Sequence, residues 1–175
     1  TARYQHEPVA LAFSITEEAE EEGQYGSIAS RYTKALARSM ASTKEIKAAN
    51  ILNNATSTTD PYGGGDGVAL LSASHPTTNG TQSNTLATAA DLSETSLESM
   101  LIQIADMKDD RGLRIAAQGT TLIIPTAYTF TAERLLESQL RTGTADNDIN
   151  AIRNGGYLPQ GYHIMRRLTD SDAFF

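Results

Sequence analysis

Apolar and polar residues alternate between Tyr4 and Ile15, putting Val9, Leu11, Phe13 and Ile15 on one face of a predicted strand. The period then changes. Behind the glutamates Glu17, Glu18, Glu20, Glu21 and Glu22, residues Tyr25, Ile28, Tyr32, Leu36, Met40, Thr43, Ile46 and Asn50 recur every three or four positions. That spacing predicts a helix over 18–53, about 50 Å long, with Gly23 and Gly26 loosening its first turns. The acids at its start, and Arg31, Lys34, Arg38, Lys44 and Lys47 further on, complement the helix macrodipole. Its apolar stripe is narrow and alanine-rich, so the helix is expected to lie across a surface.

From Thr56 to Ala90 the only acidic or basic residues are Asp60 and Asp66, besides His75. Thr, Ser, Asn and Gly dominate, with turn chemistry at Pro61–Gly67 and Asn79-Gly80 and a short strand expected at Val68–Leu71. So long a polar loop is expected to be functional or held by a partner. A helix is predicted over Asp91–Met107, capped by Asp91 or Ser93, with a capping-box spacing from Asp91 to Glu94 and a buried face of Leu97, Met100, Leu101 and Ile104. Asp109–Gly112 reads as a turn, Thr121–Ile124 as a central strand stopped by Pro125, and Tyr128, Ala132, Leu135 and Leu136 as a second helix. Arg141–Gly161 reads mostly as loop and Tyr162–Leu168 as a strand. No internal repeat is visible, and the fold class is α+β.

The length of 175 residues suits one domain or two small lobes. Fourteen basic against 21 acidic residues give a net charge of −7, which argues against a broad basic face for nucleic acid; Arg141, Arg166 and Arg167 are too few to reverse this. The absence of cysteine excludes disulfides, thiolate metal sites and cysteine nucleophiles. No apolar run reaches membrane-span length. Thr1–Phe13 reads as extended chain, and Ala173-Phe174-Phe175 as the opening of a strand whose rings have nothing to pack on, so the sequence is expected to be a fragment of a longer chain.

The candidate chemistry is thin. Gly63–Gly67 lacks the Lys-Ser/Thr of a phosphate loop, and Val68 stands where a dinucleotide fingerprint needs glycine, so a flexible loop is preferred. Asp146-Asn147-Asp148-Ile149-Asn150 begins like a calcium loop, but Ala151 and Tyr157 replace its glycine and its bidentate glutamate; Asx-turns are preferred. His6, His75 and His163 are far apart and show no metal-ligand spacing. A hydrolase reading would enlist Ser72 or Ser74, His75 and Asp91, without the serine elbow or separated triad members such enzymes use. His75 as a loop anchor bonded to backbone is preferred. The five glutamates read as a solvated helix start rather than a metal or acid–base cluster. Asn54-Ala55-Thr56 and Asn79-Gly80-Thr81 match glycosylation acceptors, with no export signal to give them meaning. No catalytic, cofactor-binding or metal site emerges, so the chain is not expected to be an enzyme, and the pattern points to binding or assembly.

The order of segments carries more than any one of them. The long helix ends in Ala48-Ala49-Asn50-Ile51-Leu52-Asn53-Asn54-Ala55. It is followed by Gly65-Asp66-Gly67, Leu71-Ser72-Ala73-Ser74-His75-Pro76 and Asn84. Then come Asp91-Leu92-Ser93, Leu122-Ile123-Ile124-Pro125, Asn147–Asn150 and Leu168–Phe175. Over nearly the whole chain this resembles the major capsid (major head) proteins of tailed bacteriophages, with the Hong Kong 97-type fold.

The resemblance implies that 1–15 is the trailing part of an extended loop, 16–90 a peripheral domain with the spine helix, and 91–175 an incomplete axial domain. Within this, 141–161 is expected to make the contacts around fivefold and sixfold vertices. It further implies a structural protein, without cofactors, that assembles with copies of itself as pentamers and hexamers into an icosahedral head. Scaffolding, portal and decoration proteins are its implied partners. The shell would enclose double-stranded DNA without sequence-specific binding, with no membrane, in a virion assembled in the host bacterial cytoplasm. No lysine–asparagine crosslinking constellation is visible. The alternatives are an encapsulin-like compartment shell and, more distantly, a small hydrolase using His75.

Overall fold

Among the described residues, the second half of the chain, from Leu92 onward, holds most of the buried apolar side chains. Leu92, Leu97, Leu122, Ile124, Ala132, Leu136 and Ile152 form one core cluster. In the computed structural model the described residues are 8–23, 25–59, 61–63, 65–141 and 148–175. Tyr4, His6, Asp60, Gly64 and the Asp146-Asn147 start of the calcium-like motif lie outside them.

The core is built on strand β3 (Leu122–Ile124), which pairs in parallel with β4 (Tyr162–Ile164), Ile123 opposite His163. β3 stops where expected, because Pro125 has no N–H to continue the ladder. β4 is shorter than the strand predicted over 162–168: Met165 N–H donates to the Ile124 carbonyl (2.9 Å), the last acceptor its partner offers. On the other edge, Ile123 exchanges both backbone hydrogen bonds with Phe175 (2.6 and 2.9 Å). Phe175 thus pairs with the edge of β3 through backbone hydrogen bonds, although no strand forms at 173–175. The expectation that these rings lack packing is corrected: Phe174 packs on the core cluster and both rings are half-buried.

Helix α3 (Glu94–Ala105) lies before β3, and α4 (Thr129–Glu137) and α5 (Ala151–Gly155) lie between β3 and β4. Leu97 is buried and Met100, Leu101 and Ile104 are half-buried, as the periodicity predicts. The cap differs from the Asp91–Glu94 spacing. Ser93 is the N-cap, its hydroxyl accepting from Ser96 N–H (3.2 Å) while the Ser96 hydroxyl accepts from Ser93 N–H (2.9 Å). Asp91 supplies only its carbonyl, to the Ser96 hydroxyl. α5 is a short helix within 141–161, whose other described residues are mostly loop as expected. Its cap is Asn150, and its end is Gly156 at φ +62°, a conformation natural to glycine.

Towards the other end, the helix predicted over 18–53 is two helices: α1 (Glu17–Glu21) and α2 (Tyr25–Asn53). Gly23, at φ +71°, makes the break, whereas Gly26 continues as helix inside α2. The last turn of α2 carries no basic residue, which corrects the expected charge placement there. Asparagines serve instead. Asn54 Nδ2 donates to the Asn50 carbonyl (2.8 Å), and the Asn53 amide donates to the Arg167 carbonyl and accepts from Thr169 N–H (both 3.0 Å). The predicted strand ending at Ile15 is not formed over residues 8–15, because no strand among the described residues pairs with this extended segment. Phe13 instead sets its ring edge against Tyr32, centroids 5.6 Å apart.

Val68–Leu71 forms no strand either, contributing only a bridge between Gly63 and Ala69. A hairpin does form in this stretch, of β1 (His75–Thr77) and β2 (Gly80–Gln82), with Thr77 opposite Gly80 at φ +119°. The mixture of helices and two small sheets is α+β.

Candidate functional site

His75 stands at the start of β1, where its Nδ1 meets Asp66 Oδ2 at 2.6 Å. That hydrogen bond holds the Asp66 carboxyl below its ordinary pKa and raises the imidazole above its own. The main partner is therefore a carboxylate nine residues back, with the Asn84 side chain and the Leu70 backbone, the kind of group expected of a loop anchor, acting on the ring more weakly. It is not Asp91, which lies beside Tyr128 at the approach to α3. Ser72 Oγ accepts from Ser74 N–H in a local turn. His75 Nε2, the atom a nucleophilic hydroxyl would have to reach, is shut from solvent and has no hydrogen-bond partner among the described residues. The Ser72/Ser74–His75–Asp91 constellation is thus not assembled.

The loop around His75 is braced by a residue with no part in the candidate chemistry. Asn84 Oδ1 accepts from Ser72 N–H and its Nδ2 donates to the Leu70 carbonyl (both 2.8 Å), so the amide replaces two rungs of a missing strand. Leu71 N–H reaches back to the Ala55 carbonyl (2.8 Å), fixing the loop to the end of α2. An asparagine in a Thr/Ser-rich stretch gives no sequence signal for such a role, because its partners are backbone groups 12 and 14 residues away.

The described part of the calcium-like motif is committed to folding. Asn150 is buried, its Oδ1 accepting from Arg153 N–H and its Nδ2 donating to the carbonyls of Leu135 (2.7 Å) and Ser138 (3.1 Å). Among the described residues no group of three His, Cys, Asp or Glu is placed to hold a metal ion. Gly63 and Gly67 flank a turn in which Asp66 Oδ1 accepts from Val68 N–H. His163 lies within β4. Arg167 faces α2, its guanidinium on Ser42 Oγ (2.9 Å) and Glu45 Oε2 (3.8 Å).

What the molecule offers in quantity is surface. Its accessible area is 12595 Å2, whereas a folded monomer of 18.8 kDa is expected to expose about 8300 Å2. Of the 29 residues of α2 only Ala49 is buried, and Tyr25, Tyr32, Ile46 and Ile51 are exposed along it. Val9, Leu11 and Phe13 are exposed on the extended segment beside it. On the compact lobe, Ile102, Tyr157, Ala117, Gly119 and Gly155 line an open groove of about 540 Å3, and Phe130 projects from α4 with 72% of its surface free. Apolar surface of this extent marks contact with other macromolecules. No helix among the described residues is long and apolar enough to cross a membrane.

No curated protein and no solved structure matches the chain. The family model described as phage capsid protein matches residues 1–174. A structure with abundant unpartnered surface and no assembled catalytic constellation among its described residues accords with that match: the chain belongs to the phage capsid protein family, whose role is structural.

Proposed function

We propose that this chain is a major capsid protein that self-assembles, through contacts between identical copies, into the icosahedral shell enclosing a phage genome. The observation that carries the reading is α2, a 29-residue helix with one buried residue. Isolated helices draw little stability from propensity alone, and most helices in proteins are held by packing of one face. A face that its own chain leaves open is a face for a neighbour.

In the Hong Kong 97-type arrangement, residues 1–15 belong to the extended loop, 16–90 to the peripheral domain with α2 as its spine, and 91–175 to the axial domain. The lobe around β3 then meets its equivalents as pentamers and hexamers. Head-to-tail contacts of one surface on a different one close into such rings. Scaffolding, portal and decoration proteins act on the same surfaces during assembly in the host cytoplasm. The genome is enclosed without sequence-specific contacts, in keeping with the net charge of −7.

Electron microscopy of the protein expressed alone and with its genomic neighbours tests this. Closed icosahedral particles are the expected result, and double-stranded DNA inside particles from infected cells separates a virion from a protein compartment. A chain that stays monomeric under both conditions would refute the proposal.

A further inference from the structure

Helix α2 and the segment just before it carry opposite charge in nearly equal amount. Between Tyr25 and Asn53 there are five basic residues, Arg31, Lys34, Arg38, Lys44 and Lys47, and one acid, Glu45. Arg31, Lys34 and Arg38 fall at i, i+3 and i+7, which places them on one face of the helix over about 10 Å. Glu45, two turns beyond Arg38, continues that face, and Arg167 is drawn to it there. Arg31, Lys34 and Arg38 are exposed and make no ion pair among the described residues.

The acidic counterpart is α1. Glu17, Glu18, Glu20 and Glu21 occupy its one and a half turns, with no basic residue in it and no ion pair to any described residue. Its length, about 7.5 Å, is close to that of the three-cation stretch. Within one copy the two do not meet. The chain bends at Gly23 between them, and the extended segment leading into α1 folds back so that Phe13 touches Tyr32. The glutamates therefore sit where this segment turns into α2, with no ion pair to the basic face among the described residues.

We infer that the glutamates of α1 in one copy dock on the Arg31–Lys34–Arg38 face of α2 in a neighbouring copy. This rests on the capsid reading above and names one of its contacts. The contact is heterologous, α1 on the face of α2, so each copy gives one and receives one, as a ring or shell requires. Nucleic acid is the less favoured occupant of the basic face. Four exposed glutamates precede it in the chain on α1, and the whole chain is acidic. Exposed ion pairs are individually weak and screened by salt, so this contact confers register and reversibility more than strength.

The test is charge reversal in the full-length chain, read by sedimentation velocity and electron microscopy, with helix content checked by circular dichroism. Two variants reverse one side each: Arg31→Glu/Lys34→Glu/Arg38→Glu and Glu17→Lys/Glu20→Lys/Glu21→Lys. Each alone is expected to weaken association at least tenfold at low salt. Mixing the two, or combining all six changes in one chain, is expected to restore it, because opposite charges then meet again. Misfolding cannot mimic that rescue.

Shells at wild-type yield from both single-side variants, or no recovery in the mixture, would overturn the contact while leaving the capsid reading intact. A wild-type chain that never associates would overturn both. Loss of DNA retention in the basic-side variant with assembly unchanged would overturn the contact in favour of nucleic acid.

Discussion

Two helices of this chain show opposite relations between length and support. α3 has 12 residues, a reciprocal Ser93–Ser96 cap, and Leu97 only 1% exposed in the core. α2 is more than twice as long, yet buries only Ala49, and its apolar side chains repeat along a stripe that its own chain covers in part. The difference teaches that hydrophobic periodicity reports a face to be covered without saying who covers it. For α3 the cover is β3, α4 and α5. For α2 we assign it to other copies, with a short tether at its end through Asn53, Arg167 and Thr169.

The contrast can be broken first in the core. Leu97→Ala is expected to destabilise the isolated chain by about 3 kcal/mol in urea titration, whereas Ile46→Ala on α2 should change it by less than about 0.5 kcal/mol. In assembled particles the second substitution should instead reduce shell yield. Asn150→Ala comes next. It leaves the carbonyls of Leu135 and Ser138 and the Arg153 N–H without their partner, for an expected loss of about 2 kcal/mol in the same titration. Gly156→Ala forces a side chain into φ +62° and should cost about 1 kcal/mol.

The smallest effect belongs to the His75 loop. Because Asp66 raises the pKa of His75, its contribution is fully present below the unfolded value near 6.5 and is lost as pH rises through the folded value. Because His75 lowers the pKa of Asp66, that contribution is present above about 3.8 and is lost as pH falls through its folded value. Hydrogen exchange of the 66–84 amides, corrected for intrinsic rate, should therefore show best protection between those limits. Asp66→Asn should flatten the profile, and α3 should show no such dependence.

The same contrast decides what the sequence made legible. Segments supported locally read well: the faces of α3 and α4 and the stop at Pro125, whereas the break at Gly23 turned one expected helix into two. Capping was read to the neighbourhood but not to the residue, since Asp91 and Ser93 both precede the apolar run and only the backbone path selects Ser93. α5 was missed because five residues with a single buried apolar side chain, Ile152, carry no period, and Asn150 looked like an ion ligand or a turn residue rather than a cap. The β1–β2 hairpin was missed although Asn79-Gly80 signalled its turn, because His75-Pro76 lacks β character.

The strand expected before Ile15 failed for a different reason. Val9, Leu11 and Phe13 do alternate, but alternation requires a partner strand, and none of the described residues supplies one. Of the candidate site, neither the bracing role of Asn84 nor the pairing of His75 with Asp66 was legible. Asn84 and the Asp66–His75 pair both depend on contacts that no spacing rule anticipates.

The central claim is that the lobe around β3 is complete in one copy while α2 and the segment before it are completed by others. Hydrogen exchange compared between assembled particles and dissociated subunits tests it directly. The account predicts that amides of α3, β3 and α4 are protected in both states, and that those of 8–23 and α2 gain at least tenfold protection only on assembly. Equal protection of α2 in subunit and particle, or assembly-dependent protection confined to the lobe, would contradict it.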